Sequence, residues 1–351
     1  METNRILIFA TRLDQFYISS EKSELIEFIG ATQINRLQKT DVYAFLGEEA
    51  GKQCLAVVDL FSRAVYKART DSRSASLPYF RMANKELEIL QADAYLFTRL
   101  FYASGWSFFY YLKGVYAKAS AFTIEGLALS EHLEAKGAAF LGSRRLLDQL
   151  PNLSKILIHQ GNAQDGYSLY NGILRALIYK DFTHLPGKWN KHMFDRDEYT
   201  RQQGIDNVVI SATRLILANT SDDQEKLFYQ ILFRGIGYID VSNDHLEVIE
   251  RFITLKRSYF EHRNEAFLSQ LEEFLTLSMD TYFDILKLSV IRNYLALSKI
   301  GTICEADQME IKTNVTRYLN RHLHLLPSEQ HLLPLLCKEF KLTNLSQSKA
   351  W

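Results

Sequence analysis

Apolar residues recur at helical spacing over most of this chain after Pro78. Such spacing, three and four positions apart, places the apolar side chains on one face of an α-helix. No fixed period relates the helical segments, so the pattern does not indicate a regular repeat protein. The sequence predicts a mainly α-helical fold, either a multi-helix bundle or an irregular helical array. The clearest segments are residues 82–103, 106–135, 138–150, 166–180, 222–236, 244–279, 281–299 and 305–325.

The first 75 residues follow a different pattern. The runs RILIFA, DVYAFLG and KQCLAVVDLF are short and apolar, and the turn GEEAGK with Gly47 and Gly51 separates the last two. That arrangement is typical of a β-hairpin. Apolar residues at helical spacing between Leu25 and Ile34 predict a helix before it. We therefore expect a small α+β subdomain at residues 1–75, a polar linker over residues 68–78, and a helical domain at residues 76–351.

The composition favours a well-packed globular protein. The chain has 351 residues, of which 47% are hydrophobic, and its 41 basic and 41 acidic residues give no net charge. General nucleic-acid binders usually carry a basic excess over at least one domain. The neutral charge of this chain therefore argues against general nucleic-acid binding, although it leaves a local basic patch open. The three cysteines are far apart in sequence and show no CxxC spacing, which suits a reducing compartment. The first residues show no signal-peptide pattern. We expect a cytoplasmic protein.

Residues 94–117, AYLFTRLFYASGWSFFYYLKGVYA, are dense in aromatic side chains. The uncharged part runs only from Leu100 to Leu112, whereas a membrane span needs roughly 20 apolar residues. The segment therefore predicts a buried helix and no membrane span. A ligand pocket lined by these rings is the alternative.

Two arginines are followed by histidines at a spacing that some helical ribonucleases share. Arg257 precedes His262 with four residues between them, and Arg317 precedes His322 and His324 with four and six. This spacing resembles the motif of the HEPN ribonucleases, small helical proteins that usually act as dimers. The resemblance implies metal-independent RNA cleavage, in which histidine exchanges protons with the 2′-hydroxyl and arginine stabilises the phosphate.

Helical geometry leaves a structural alternative open for both pairs. On an unbroken helix Arg257 and His262 lie about 140° apart, at the two rims of an apolar stripe where charged side chains commonly snorkel. Lys256 and Arg263 fall inside that stripe, so a helix break near FEHRNE is expected to relax the separation. Arg317 and His324 lie within about 20° of one face. Cations at the end of a helix also complement its dipole without any further function.

Residues 181–206 form the longest polar interruption of the helical pattern. They bring His184, His192, Asp195, Asp197 and Glu198 close together in sequence, all of them possible ligands for zinc or a harder divalent metal. The spacing matches no motif such as HExxH. A solvated surface loop is the alternative interpretation.

Several common signatures are absent from the sequence. It holds no GxxxxGK[ST] phosphate loop, no complete dinucleotide fingerprint and no GxSxG elbow. We therefore expect no cofactor, and a non-catalytic helical protein that binds a partner as a regulator or assembly subunit. The partner is expected to be another protein or a second copy of this chain. The alternative is an HEPN-like ribonuclease that acts on RNA.

Overall fold

The computed structural model describes residues 2–13, 39–70, 73–194, 198–219, 222–237, 239, 244–277, 279–300, 304–325 and 329–342. Over these residues the protein is mainly α-helical, as the apolar periodicity predicts, and contains no β-strand. The helices are α1 (Glu2–Arg12), α2 (39–46), α3 (Glu48–Thr70), α4 (Arg73–Leu87), α5 (Ala92–Leu112), α6 (Tyr116–Ala135), α7 (Leu141–Arg144), α8 (Leu150–His159), α9 (Ala163–Tyr179), α10 (Glu198–Asn219), α11 (Asp222–Leu232), α12 (Asp244–Phe260), α13 (Asn264–Thr276), α14 (Asp284–Ile300), α15 (Glu305–His322) and α16 (Leu332–Phe340).

The predicted amino-terminal α+β subdomain is wrong, because its three expected strands are helical. RILIFA lies in α1, DVYAFLG ends α2, and KQCLAVVDLF lies in α3. The buried side chains of α3 include Cys54, Val57, Val58, Phe61 and Ala64, at intervals of three and four rather than two. A short apolar run is compatible with either a strand or a buried helix. The length of the element that contains the run distinguishes the two. The helix predicted between Leu25 and Ile34 lies outside the described residues.

The chain folds into two compact units. The first unit consists of Met1–Ile26 and Val209–Trp351, and the second unit is Glu27–Val208. The domain boundary predicted after residue 75 falls inside α4 of the second unit, and the proposed linker at 68–78 belongs to α3 and α4 except for residues 71 and 72, which are not described. Pro78 lies within α4 and does not end it.

Helices α3 to α6 form the aromatic core of the second unit. α3 and α5 run in the same direction: Cys54 Sγ lies 3.4 Å from Ala94 O near their amino ends, and Arg69 Cζ lies 5.5 Å from the Phe108 ring near their carboxyl ends. α6 runs back along α5, where Ser107 Oγ and Thr123 Oγ1 are 2.6 Å apart. Rings from α3, α4 and α5 fill the space between the helices, which stabilises the bundle.

A π-helical turn, Arg145–Gln149, joins α7 to α8 in the second unit. α9 packs back against α8 at Gly166, where an added Cβ would lie 2.7 Å from Ser154 O. A side chain at position 166 would therefore push the two helices apart. After α9 a long connection leads to Glu198, and residues 180–194 of it are described.

Helix α14 is the centre of the first unit. Every residue from Phe283 to Ser298 is buried, so the helix is covered on all sides. α1 packs in the same unit through Phe9, whose ring centroid is 4.7 Å from that of Tyr294. The Tyr294 hydroxyl donates a hydrogen bond to Ile6 O at 2.6 Å. This contact satisfies a phenol that would otherwise be costly to bury.

Candidate functional site

Arg257, half of the predicted ribonuclease pair, contacts the end of a neighbouring helix. Its Nη2 donates to Phe233 O at 3.1 Å and also to Ile236 O. Both carbonyls follow the last residue of α11, Leu232. Phe233 O also accepts from Ile236 N at 3.1 Å, and a guanidinium beside these carbonyls complements the dipole of α11. The described contacts of Arg257 are those of a helix cap.

His262 lies in the expected break between α12 and α13. Its φ is 58°, and Arg263 N donates to Ser258 O at 2.9 Å while His262 N donates to Tyr259 O at 3.1 Å. This is the left-handed Schellman ending of a helix. The exposed ring has Nε2 3.5 Å from Lys226 Nζ. The structure thus contains the break, but the hydrogen bonds of Arg257 and His262 go to different groups and do not join the pair.

The second predicted pair is separated in the same way. α15 ends at His322, so the helical face expected to carry both Arg317 and His324 does not reach His324. Arg317 Nη1 donates to Asn314 Oδ1 at 3.0 Å, whereas His324 N donates to Asp284 Oδ2 at 2.6 Å. The described contacts therefore place the two residues against different groups.

The predicted metal ligands are only partly described. Asp195 and Asp197 lie outside the described residues, and no group of three or more histidine, cysteine or acidic side chains in the described part of the chain is arranged to hold a metal ion. His184 and His192 are exposed, and His184 Nε2 lies 3.8 Å from Asp181 Oδ2. Glu198 binds Arg201 Nε at 2.8 Å. The metal site stays a prediction.

A buried charge network in the first unit was missed at the level of sequence. Lys256 Nζ lies 2.8 Å from Glu225 Oε1 and 2.5 Å from Asn293 Oδ1, and the Lys256 side chain is fully buried. Arg292 Nη1 lies 3.0 Å from Glu225 Oε2, and Arg292 Nε lies 3.1 Å from Glu339 Oε2. Four helices, α11, α12, α14 and α16, meet in this network. Its charges are paired, which is what burial requires.

The signal for this network was present in the apolar stripe of α12. Lys256 interrupts that stripe, and together with Arg263 it predicted a helix break near FEHRNE, which the structure contains after Phe260. Lys256 itself lies before the break, and its Nζ lies 4.6 Å from the Tyr229 ring centroid inside the core. A lysine on an apolar face therefore marked a buried ion pair here. No sequence rule identifies its partner 31 residues away.

A second charge cluster lies beneath the long connection after α9. Arg145, in the π-turn, is 2% exposed and has Nε 3.1 Å from Glu134 Oε1 and Nη1 3.4 Å from Glu131 Oε2. Lys188 N donates to Glu131 Oε1 at 3.0 Å, and Lys188 O accepts from Arg145. Arg145 Cζ also lies 3.9 Å from the Trp189 ring centroid. These contacts hold residues 187–189 of the connection on α6 and the π-turn.

Glu134 is the most perturbed carboxyl of this cluster. Burial raises its pKa from 4.5 to about 7, against the opposing attraction of Arg145 and with help from the nearby charge of Glu131. A carboxyl that titrates near neutrality is suited to proton transfer. Here Arg145 pairs with Glu134, and Lys188 and Trp189 in turn contact Arg145. These contacts hold the connection after α9 in place.

α5 and α6 carry four partly exposed aromatic side chains, Tyr102, Trp106, Tyr110 and Phe122. Each ring contacts the next and the last contacts the first, so we call this set the ring circuit. Centroid distances around it are 6.2, 5.8, 5.7 and 5.9 Å. Arg99 Cζ lies 4.0 Å from the Tyr102 centroid, and Lys118 Nζ lies 5.1 Å from that of Tyr110. Aromatic side chains and arginine are enriched at macromolecular interfaces.

The ring circuit comes from the aromatic segment singled out in the sequence. The prediction of a buried helix describes one face of α5, including Phe97, Leu100 and Phe109, while the ring circuit lies on a partly exposed face. Among the described helices, none is long and apolar enough to cross a membrane. Because its aromatic side chains are partly exposed and lie beside cations, the ring circuit is the candidate functional site.

Comparison with protein-family models, with curated proteins and with solved structures found no match to this chain.

Proposed function

We propose that this protein binds a macromolecular partner without catalysing a reaction, and that the ring circuit of the second unit is a contact surface for that partner. The observation that carries the proposal is the closed contact of Tyr102, Trp106, Tyr110 and Phe122 on a partly exposed face. Rigid rings lose little conformational entropy on binding and supply large contact areas. We propose a regulatory or assembly role for such binding.

The contacts of the charged residues support a non-catalytic role. Arg257 donates to two main-chain carbonyls, and Lys256 and Arg292 bind carboxylates inside the core. An HEPN-like ribonuclease needs an arginine that reaches the scissile phosphate together with a histidine. The alternative therefore requires Arg257 to leave the carbonyls that it caps.

The proposal is tested by site-specific photocrosslinking of the full-length chain in its native host. A photoreactive amino acid replaces Phe122 in the ring circuit, and a matched variant carries it at Ile89, which is 67% exposed in the turn after α4. We expect adducts larger than the chain from position 122 and none from position 89. Equal adducts at both positions, or none at 122, would contradict the proposal.

A further inference from the structure

Charge is segregated along the helices of the second unit. Residues 64–76 and 104–124, which include the ends of α3 and α5 and the starts of α4 and α6, hold five basic residues and one acidic residue, Asp71, although the whole chain is neutral. Acidic residues are instead concentrated where α3 and α5 begin, as in Glu48, Glu49 and Asp93. One end of the α3–α6 bundle is therefore basic, and the neutral total conceals it.

Three cations surround the last turn of α5 at this end, and we call them the basic cluster. Arg69 of α3 lies with Cζ 5.5 Å from the Phe108 centroid. Lys113, just after α5, lies with Nζ 4.7 Å from Phe109, and Lys118 of α6 lies with Nζ 5.1 Å from Tyr110. Consecutive rings of one helical turn are thus each covered by a cation from a different element. All three cations are exposed.

Helix dipoles explain only part of this arrangement. Arg69 and Lys113 are at the carboxyl ends of α3 and α5, where cations are stabilised. Lys118 is in the first turn of α6 and Arg73 begins α4, where the same dipoles disfavour positive charge. Neither first turn carries an acidic residue. Helix dipoles therefore do not account for the positions of Arg73 and Lys118.

We infer that the basic cluster and the adjoining ring circuit bind single-stranded nucleic acid. Cations that track phosphates beside rings that stack on bases are the general means of binding a single strand. This inference rests on the proposed function, since it names the partner of the same surface.

The kind of exposed side chain favours a nucleic acid over an anionic membrane. A membrane-surface helix presents a continuous face of leucine, phenylalanine and tryptophan. Near the basic cluster and the ring circuit the large apolar residues that protrude most are Tyr66, 62% exposed, Ile124, 55% exposed, and Val115, 40% exposed. Tyrosine and cations suit stacking and phosphate contact, whereas two aliphatic residues nine positions apart do not form a continuous face for insertion into lipid.

The test is fluorescence anisotropy of a labelled oligouridylate of about 15 nucleotides with the full-length chain. Duplex RNA of the same length and phosphatidylserine vesicles are the comparison probes. We expect the single strand to bind most tightly, with an affinity that falls as salt rises by a logarithmic slope of about −0.7 for each phosphate contacted. Equal or tighter binding of the duplex, or binding of vesicles only, overturns the inference.

Charge reversal locates the site. The double variant Lys113→Glu, Lys118→Glu is expected to weaken binding at least about tenfold and to lower the salt slope by about 1.4, the share of two phosphate contacts. Lys52→Glu with Lys85→Glu makes the same change of net charge at exposed positions near the start of α3 and the end of α4. Equal weakening by both double variants overturns the inference.

A second variant separates stacking from charge. Tyr110→Leu is expected to weaken binding severalfold and leave the salt slope unchanged, because it removes a stacking surface and no cation. An unchanged affinity overturns the role of the rings. A photoadduct at position 122 that resists nuclease, together with no binding of the oligouridylate, overturns the nucleic-acid inference while the proposed function stands. If position 122 gives no adduct, the proposed function itself fails.

Discussion

Lys256 and Glu225 form an ion pair inside the core of the first unit, with Nζ and Oε1 2.8 Å apart and side chains 0% and 1% exposed. Glu225 also binds Arg292 and Asn293, so one carboxylate joins residues of α12 and α14 to α11. Removing one member of a buried ion pair is strongly destabilising, because the remaining charge loses its partner. The pair is consequently a sensitive point of the first unit.

Lys256→Met is expected to lower the free energy of unfolding of the first unit by about 3–5 kcal/mol, because it breaks a buried ion pair from one side. Urea denaturation followed by circular dichroism measures the change. Arg5→Met is the control, since Arg5 pairs with Glu265 at 3.4 Å on the surface, and we expect a loss of at most about 1 kcal/mol there. Similar losses in the two variants would show that burial of Lys256 does not matter.

Arg257→Ala is expected to lower the free energy of unfolding by about 1–3 kcal/mol, because two carbonyls after α11 lose a charged donor. Arg317→Ala, at an exposed position, should change it by less than about 0.5 kcal/mol. Assaying RNA cleavage in a chelator with the same two variants tests the HEPN-like alternative. Cleavage by the native chain that Arg257→Ala abolishes without loss of stability would favour the ribonuclease.

The stability of the second unit is expected to fall as pH rises between about 4.5 and 7, through Glu134. Its pKa is higher in the folded protein than in the unfolded chain, so the folded state binds the proton more tightly at low pH and loses that advantage as the carboxyl ionises. We expect a difference on the order of 2 kcal/mol, after allowance for solvent screening.

Glu134→Gln isolates this contribution, because it removes the titrating group. Urea denaturation of both proteins across the pH range gives the difference in slope. A native protein whose pH dependence equals that of Glu134→Gln between pH 4.5 and 7 would refute the assignment to Glu134.

Trp189→Ala is expected to release the connection between α9 and α10, because the indole stacks on Arg145 at 3.9 Å and on Phe182 at 5.8 Å. Limited proteolysis should cut residues 180–194 several times faster than in the native chain, since cleavage follows local opening. Lys191→Ala is the control, as Lys191 is exposed in the same connection. Equal acceleration by both variants would mean that the indole does not anchor the segment.

The sequence by itself determined the helical class, the break between α12 and α13, and the special character of residues 94–117. These features are local, because helical spacing and a gap in an apolar stripe can be recognised within a few helical turns. The same local rule failed at residues 1–75. There, short apolar runs were interpreted as strands, and only their packing at intervals of three and four in α3 shows a helix.

Tertiary structure alone decided the partners of the charged side chains. Lys256 meets Glu225 31 residues away, and Arg145 meets Lys188 43 residues away, so no spacing in the sequence connects them. Likewise Arg69, Lys113 and Lys118 lie around one turn because α3 and α5 run in the same direction and α6 returns. Electrostatic pairing depends on distance in space, which the chain sets only when its helices pack.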